Sequence, residues 1–197
     1  MKISLEMVKK LREKTQAPVV ECKFALEKAQ GNLEEAEKIL RKRGIEVAQK
    51  KSGRKAKEGV ISSYIHHNGK VGVLVELNCE TDFVARNQEF REFGKNIAMH
   101  IAAFSPRWIS PEDVPPQALE EEKAILREQA EKEGKPPQIV EKIVEGRLKK
   151  FYTQKCLLSQ PYFKDMEKTV KDVLQELISK VGENIKIGRF VRMELGE

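Results

Sequence analysis

The sequence predicts an α+β protein: a small three-helix module, then an antiparallel sheet packed with helices and a projecting helical hairpin. Three observations carry the prediction. Apolar residues recur at helical spacing in the first 44 residues and again from residue 88 onward. Two alternating runs, GVISSYIHH and KVGVLVELN, flank Asn68-Gly69, which reads as a hairpin. A last alternating run, KIGRFVRMEL, returns after a helical block, so strands stand at both ends of that block.

Each element has its own signal. Ser4 can cap a first helix carrying Leu5, Val8 and Leu11. Pro18 opens a second with Cys22, Ala25, Leu26 and Ala29, and Gly31 ends it. Asn32 followed by Glu35 starts a third with Leu33, Ala36 and Leu40 inward, which Gly44 is expected to close. The module is thus residues 1–44, too small for a stable core of its own and expected to be held by contacts or used for docking. Residues 45–57 read as a basic linker and 58–197 as the α+β core. In the hairpin, a two-residue type I′ loop at Asn68-Gly69 sets Val60, Tyr64 and His66 opposite Leu77, Val73 and Val71 on the buried face. Phe90, Phe93, Ile97, Ile101 and Phe104 form one stripe of the next helix, ended by Pro106 and Pro111. Two charged helices over about 117–155, parted by EGKPP, share a narrow seam: Leu119, Ile125 and Leu126, then Ile139, Ile143, Leu148 and Phe151. Val170, Val173, Leu174, Leu177 and Ile178 mark the last helix, which Gly182 ends.

Composition narrows the function classes. With 40% apolar and 35% charged residues the chain is expected to be a soluble globular protein. No apolar run approaches the roughly 18 residues of a membrane helix, and MKISLEMVKK lacks a secretory pattern, so the cytoplasm is the expected compartment. Cys22, Cys79 and Cys156 are widely spaced and read as buried thiols in a reducing environment. The net charge of +6 is local: residues 41–57 carry eight Lys/Arg against one Glu, which leaves the remainder at −1. That segment lacks interleaved aromatics for base stacking, so specific nucleic-acid binding is not expected; an RNA- or ribosome-associated protein using 41–57 is the alternative function.

No phosphate-binding loop, dinucleotide fingerprint, H-E-x-x-H or nucleophile elbow occurs, so the chain is not expected to be an enzyme and no cofactor or metal is expected. His66 and His67 point to opposite faces of a strand and cannot share a metal. His100 falls within the apolar stripe between Phe93 and Phe104, the position of a satisfied core histidine. The most informative stretch is NCETDFVARN, residues 78–87, directly after the second strand. Thr81 or Asp82 can cap a short helix there. Phe83 then either folds down as a core anchor or stands out as a wedge for another molecule, and spacing does not choose between the two.

NCETDFVARN, with TQAPVVECKFALEKAQGN, MHIAAFSPRWI and GKPPQIVEKIVEGRLKKFY, resembles the bacterial translation elongation factor Ts family in order along the whole chain. The resemblance implies a guanine-nucleotide exchange factor that binds elongation factor Tu with GDP, dislodges its magnesium ion and promotes GDP release. It implies that the amino-terminal module is ubiquitin-associated-like. It assigns Thr81, Asp82, Phe83 and Val84 to the segment that enters the GTPase, and Arg12, Val19, Val20, Lys23 and His100 to further contacts with it. This sequence departs from the family's T-G-A-G-M-M-D-C-K: Val19 and Val20 stand for the two methionines, and Gln16 and Pro18 for the glycines. Longer members have two related core halves where this chain has one, so a homodimer, and with elongation factor Tu a 2:2 complex, is expected.

Overall fold

The amino-terminal helices follow from their caps and one shared apolar face. In the computed structural model, which describes residues 3–15, 17–134 and 136–196, α1 spans Leu5–Thr15, α2 Val19–Lys28 and α3 Leu33–Lys51. Ser4 Oγ accepts from Met7 N at 3.2 Å and Asn32 Oδ1 from Glu35 N at 3.1 Å, satisfying first-turn donors of α1 and α3. Gly31, at φ 86°, closes α2 by donating its N–H to Leu26 O at 2.9 Å, a left-handed turn that glycine adopts without a Cβ clash. Val8, Leu11, Cys22, Ala25, Leu26, Ala29 and Ala36 bury together, with Leu33 and Leu40 at their edge. Gln16 lies outside the described residues.

Gly44 does not close the third helix. α3 runs on to Lys51, so the first half of the stretch expected as a linker is helical. A glycine stops a helix when it takes the left-handed position after the last turn; inside a helix it costs only about 1 kcal/mol. The extra turns end on a partner, since Lys51 Nζ donates to Gly182 O. Before Gly44, Arg41 pairs with Asp172 at 3.1 Å, and after the helix Arg54 O accepts from Asn184 Nδ2 at 2.7 Å.

The remaining elements, in chain order, are β1 (Glu58–Ile65), β2 (Val71–Cys79), α4 (Asp82–Arg86), α5 (Gln88–Phe104), α6 (Pro116–Lys132), α7 (Pro137–Lys155), β3 (Pro161–Tyr162), β4 (Asp165–Thr169), α8 (Val170–Val181) and β5 (Lys186–Glu194). The main sheet has the order β1-β2-β5, and β3 and β4 form a separate antiparallel ribbon. The chain divides into two compact units: Met1–Ile61, Glu76–Gly94 and Asp172–Gly188 in one, Ser62–Val75, Lys95–Lys171 and Arg189–Glu197 in the other. No helix among the described residues is long and apolar enough to cross a membrane.

The predicted hairpin register holds, since His66 N donates to Val71 O at 2.8 Å, and Val73, Val75, Leu77 and Cys79 are buried on alternate positions of β2. Its loop differs from the expected one. A type I′ turn needs φ above zero at both central residues, and of Asn68-Gly69 only Gly69 (φ 68°) has it. Asn68 Oδ1 instead accepts from Lys70 N at 3.0 Å, and Gly69 N donates to His66 O at 2.8 Å, so the loop is 67–70.

In the second unit α6 and α7 form the antiparallel hairpin, stitched by Arg127–Glu141 and Arg147–Glu133 pairs. Its seam is Leu126, Ala130, Val140, Val144 and Leu148. The expected seam is corrected at three places: Ile125 and Ile139 are 50% and 43% exposed, and Tyr152 packs on the seam in place of the expected Phe151, whose ring lies 5.8 Å from that of Trp108. A seam this narrow takes only one of two adjacent apolar residues, because neighbours on a helix point about 100° apart. Along α5, Phe90, Phe93, Ile97 and Ile101 are buried as predicted.

Candidate functional site

Thr81 and Asn87 divide NCETDFVARN into a strand end, one helical turn and the start of the next helix. Thr81 Oγ1 accepts from Val84 N at 3.4 Å as the cap of α4, and Asn87 Oδ1 accepts from Glu89 N at 2.8 Å at the head of α5. Between them Ala85 is buried and Val84 half-buried, while Phe83 is 81% exposed. The structure therefore excludes the core-anchor alternative for Phe83. Asp82 pairs with Arg86 one turn on, at 3.0 Å, both side chains lying at the surface.

A bare aromatic makes few contacts, so its position is set by the backbone beneath it. That backbone is clasped from a distant turn. Glu183 Oε2 accepts from Glu80 N at 3.1 Å and Thr81 N at 3.0 Å, and its Oε1 accepts from the Thr81 hydroxyl at 2.6 Å. In return Glu80 Oε1 accepts from Asn184 N at 2.6 Å. Cys79 Sγ donates to Thr81 O at 3.1 Å. Burial, with the Glu183 carboxylate adding to it, pushes the Cys79 thiol up to about 11, so it stays protonated and packs as a small apolar group. Nothing local in the sequence marks Glu183 or Glu80 as part of this corner; GEN after α8 reads only as a helix stop.

In the same unit, Val19 and Val20 are 50% and 76% exposed at the start of α2, and Arg12 and Lys23 are exposed on α1 and α2. Arg12 lies close enough for its charge to be felt at Cys22. Val19, Val20 and Lys23 thus share the exposed start of α2, and Arg12 is exposed on α1. Leu5, at 88% exposure, is a further apolar side chain at the surface of the module and does not share the burial of Val8 and Leu11.

His100 lies in the core, as its place in the apolar stripe of α5 predicts, and not at the surface with Phe83, Val19 and Val20. Its side chain has no exposed area, stacks on Phe104 at 4.5 Å between ring centroids, and sits against Tyr162 and Phe163. Gln160 fixes its tautomer: the Gln160 amide nitrogen donates to Gln154 O at 2.8 Å and Phe104 O at 3.4 Å, leaving Oε1 to accept from His100 Nε2 at 3.0 Å. His100 Nδ1 is buried and has no hydrogen-bond partner among the described residues. Desolvation holds its pKa below the usual imidazole value despite that hydrogen bond. A buried neutral imidazole orders α5 and the β3–β4 ribbon; an outside molecule does not reach it here.

The basic stretch 41–57 offers less charge than its sequence suggests. Arg41 pairs with Asp172 and Arg43 with Glu21, Arg54 faces Glu80, and Lys51 is bound to Gly182 O. Among the described residues no cluster of His, Cys, Asp and Glu could hold a metal ion.

The family model described as Elongation factor TS matches residues 5–197. Over 197 residues the chain is 57% identical to a protein named elongation factor Ts from Fervidobacterium nodosum, with both chains covered in full. A protein of the same name from Pseudothermotoga lettingae is also 57% identical over the whole of both chains. One from Acetivibrio thermocellus is 58% identical over 195 residues, 99% of this chain and 91% of that protein. An exposed phenylalanine on a clasped corner, within a sequence alike from end to end, has one family reading: the chain belongs to the elongation factor Ts family.

Proposed function

We propose that this chain is a translation elongation factor acting as a guanine-nucleotide exchange factor: it binds elongation factor Tu carrying GDP, displaces the magnesium ion there and releases GDP so that GTP can bind. The observation that carries this reading is the 81% exposure of Phe83 on a corner that Glu183 clasps by hydrogen bonds. In this reading the factor works in the cytoplasm, makes and breaks no covalent bond itself and holds no cofactor. The metal belongs to the partner.

Linkage sets the energetics. A factor that binds the nucleotide-free GTPase more tightly than the GDP form weakens GDP binding by the same ratio. Speeding release about 10⁴-fold requires lowering the barrier by roughly 5.5 kcal/mol. Burying one phenylalanine supplies about 1.5–3 kcal/mol. Phe83 therefore needs help, and the exposed Val19, Val20, Arg12 and Lys23 are the proposed second contact that holds the GTPase while its site deforms. Asp82 brings a carboxylate beside the ring, and its Arg86 partner is exposed enough to give way to a cation of the GTPase. His100, being sealed, contributes through the fold.

Stopped-flow release of a fluorescent GDP from elongation factor Tu tests the proposal. Phe83→Ala is expected to slow stimulated release about 10- to 100-fold, the range of a hot-spot truncation, and to leave the melting curve within about 0.5 kcal/mol because the ring is exposed. Unchanged release by the variant overturns the reading.

A further inference from the structure

We infer that Glu183 is a positioning residue for nucleotide exchange: its carboxylate fixes the direction in which Phe83 leaves the sheet. The inference rests on the exchange reading above and concerns how the corner is held. α4 has five residues, barely more than one turn, and so short a helix does not fix its own direction in water. Phe83 is not packed. The residues that orient it are Glu80 and Thr81 immediately before, and Glu183 accepts both of their backbone N–H groups and the Thr81 hydroxyl on its two oxygens. A carboxylate receiving three donors from two consecutive residues sets an angle as well as a distance.

The post to which the corner is tied is itself immobilised. Gly182 O accepts from Lys51 Nζ, and Asn184, 2% exposed, donates its side-chain amide to Arg54 O at 2.7 Å and Ser52 O at 3.4 Å. Glu80 returns the contact by accepting from Asn184 N, so two carboxylates cross between two turns some hundred residues apart in sequence. Losing the Glu183 half leaves the other half intact. The corner then stays near its place but can rotate, and misplacing a reacting group by about 1 Å can cost on the order of 100-fold.

The experiment compares wild type, Glu183→Ala, Glu183→Gln and Phe83→Ala in stimulated GDP release at rising factor concentration, with melting curves for each. Glu183→Ala is expected to lower the limiting rate about 10-fold while the half-saturating concentration moves less than about twofold. Glu183→Gln, which keeps an acceptor oxygen and loses the charge, is expected to fall between. Hydrogen exchange should quicken at the Glu80 and Thr81 amides in both variants. Limiting rates unchanged in both Glu183 variants, with Phe83→Ala still slow, overturn the role of Glu183 and leave the exchange reading standing. A rise in half-saturation with an unchanged limiting rate also overturns it, since Glu183 then only supports the surface. If Glu183→Ala does not fold, Glu183→Gln decides between these outcomes. If Phe83→Ala releases GDP as fast as wild type, the exchange reading itself fails.

Discussion

At Thr81 a single hydroxyl accepts from Val84 N and donates to Glu183, and that pairing decides which side chains can replace it. Serine keeps both roles. Alanine loses both, and its cost should be about 1–2 kcal/mol in urea unfolding, the scale of a lost helix cap. Aspartate can still cap the helix but has no proton to give, and sets a second carboxylate against Glu183; it should therefore be worse than serine in spite of being a good cap residue. His100 predicts a pH effect whose sign follows from its burial. Its folded pKa lies below the ordinary value near 6.5, so through the range between the two the unfolded chain binds the proton more readily. Stability is complete above about 6.5 and falls as the pH drops below it. Melting curves from pH 7.5 to 5 should show a decline that His100→Gln flattens; an equal slope in the variant would place the titration elsewhere.

Among the elements, helix starts were more legible than helix ends. Ser4, Asn32 and Thr81 announce their caps by residue type, and each makes the expected bond. Gly44 reads as a stop because glycine usually marks one, yet the sequence does not show that Lys51, two turns beyond it, would find Gly182 O to bind. Asn68-Gly69 gave the hairpin and its register but not its loop, since the Asn68 side chain closed a turn of its own with Lys70. The β3–β4 ribbon went unread: two residues of strand carry no alternation. The α6–α7 seam offers a direct check on phase. Leu126 is 8% exposed and its neighbour Ile125 50%, so Leu126→Ala should cost about 2–5 kcal/mol and Ile125→Ala less than about 0.5 kcal/mol. Hydrogen exchange along the hairpin would report the difference locally, and equal effects would mean that the helices rotate against each other.

For the whole molecule, the contact residues were named by the family resemblance, because spacing left Phe83 either inward or outward and only the fold shows that it breaks the rule that apolar side chains hide; those that aim it were not legible at all, because Glu183 meets Thr81 only through the fold. The same rule bears on assembly. In the second unit Ile65, Leu74, Val191, Met193 and Leu195 are 53–74% exposed. Scattered singly such residues are ordinary, but Ile65 and Leu74 stand on the outward side of one hairpin, and Leu195 N donates to Lys70 O at the base of its loop. A second copy of the chain is the proposed cover. A lasting interface needs about 1,200–2,000 Å² in all, and its drive here would be apolar. Sedimentation equilibrium should therefore give twice the 22.6 kDa chain mass, with little loss of dimer as salt is raised, because screening acts on charges. Leu74→Lys, which sets a charge in the apolar area without touching the buried face of β2, should shift the population to monomer while the fold melts as before. With elongation factor Tu the wild type should sediment as a 2:2 complex and the lysine variant as 1:1. A wild-type chain that stays monomeric at tens of micromolar would leave those side chains as exposed surface and remove the dimer from the proposal.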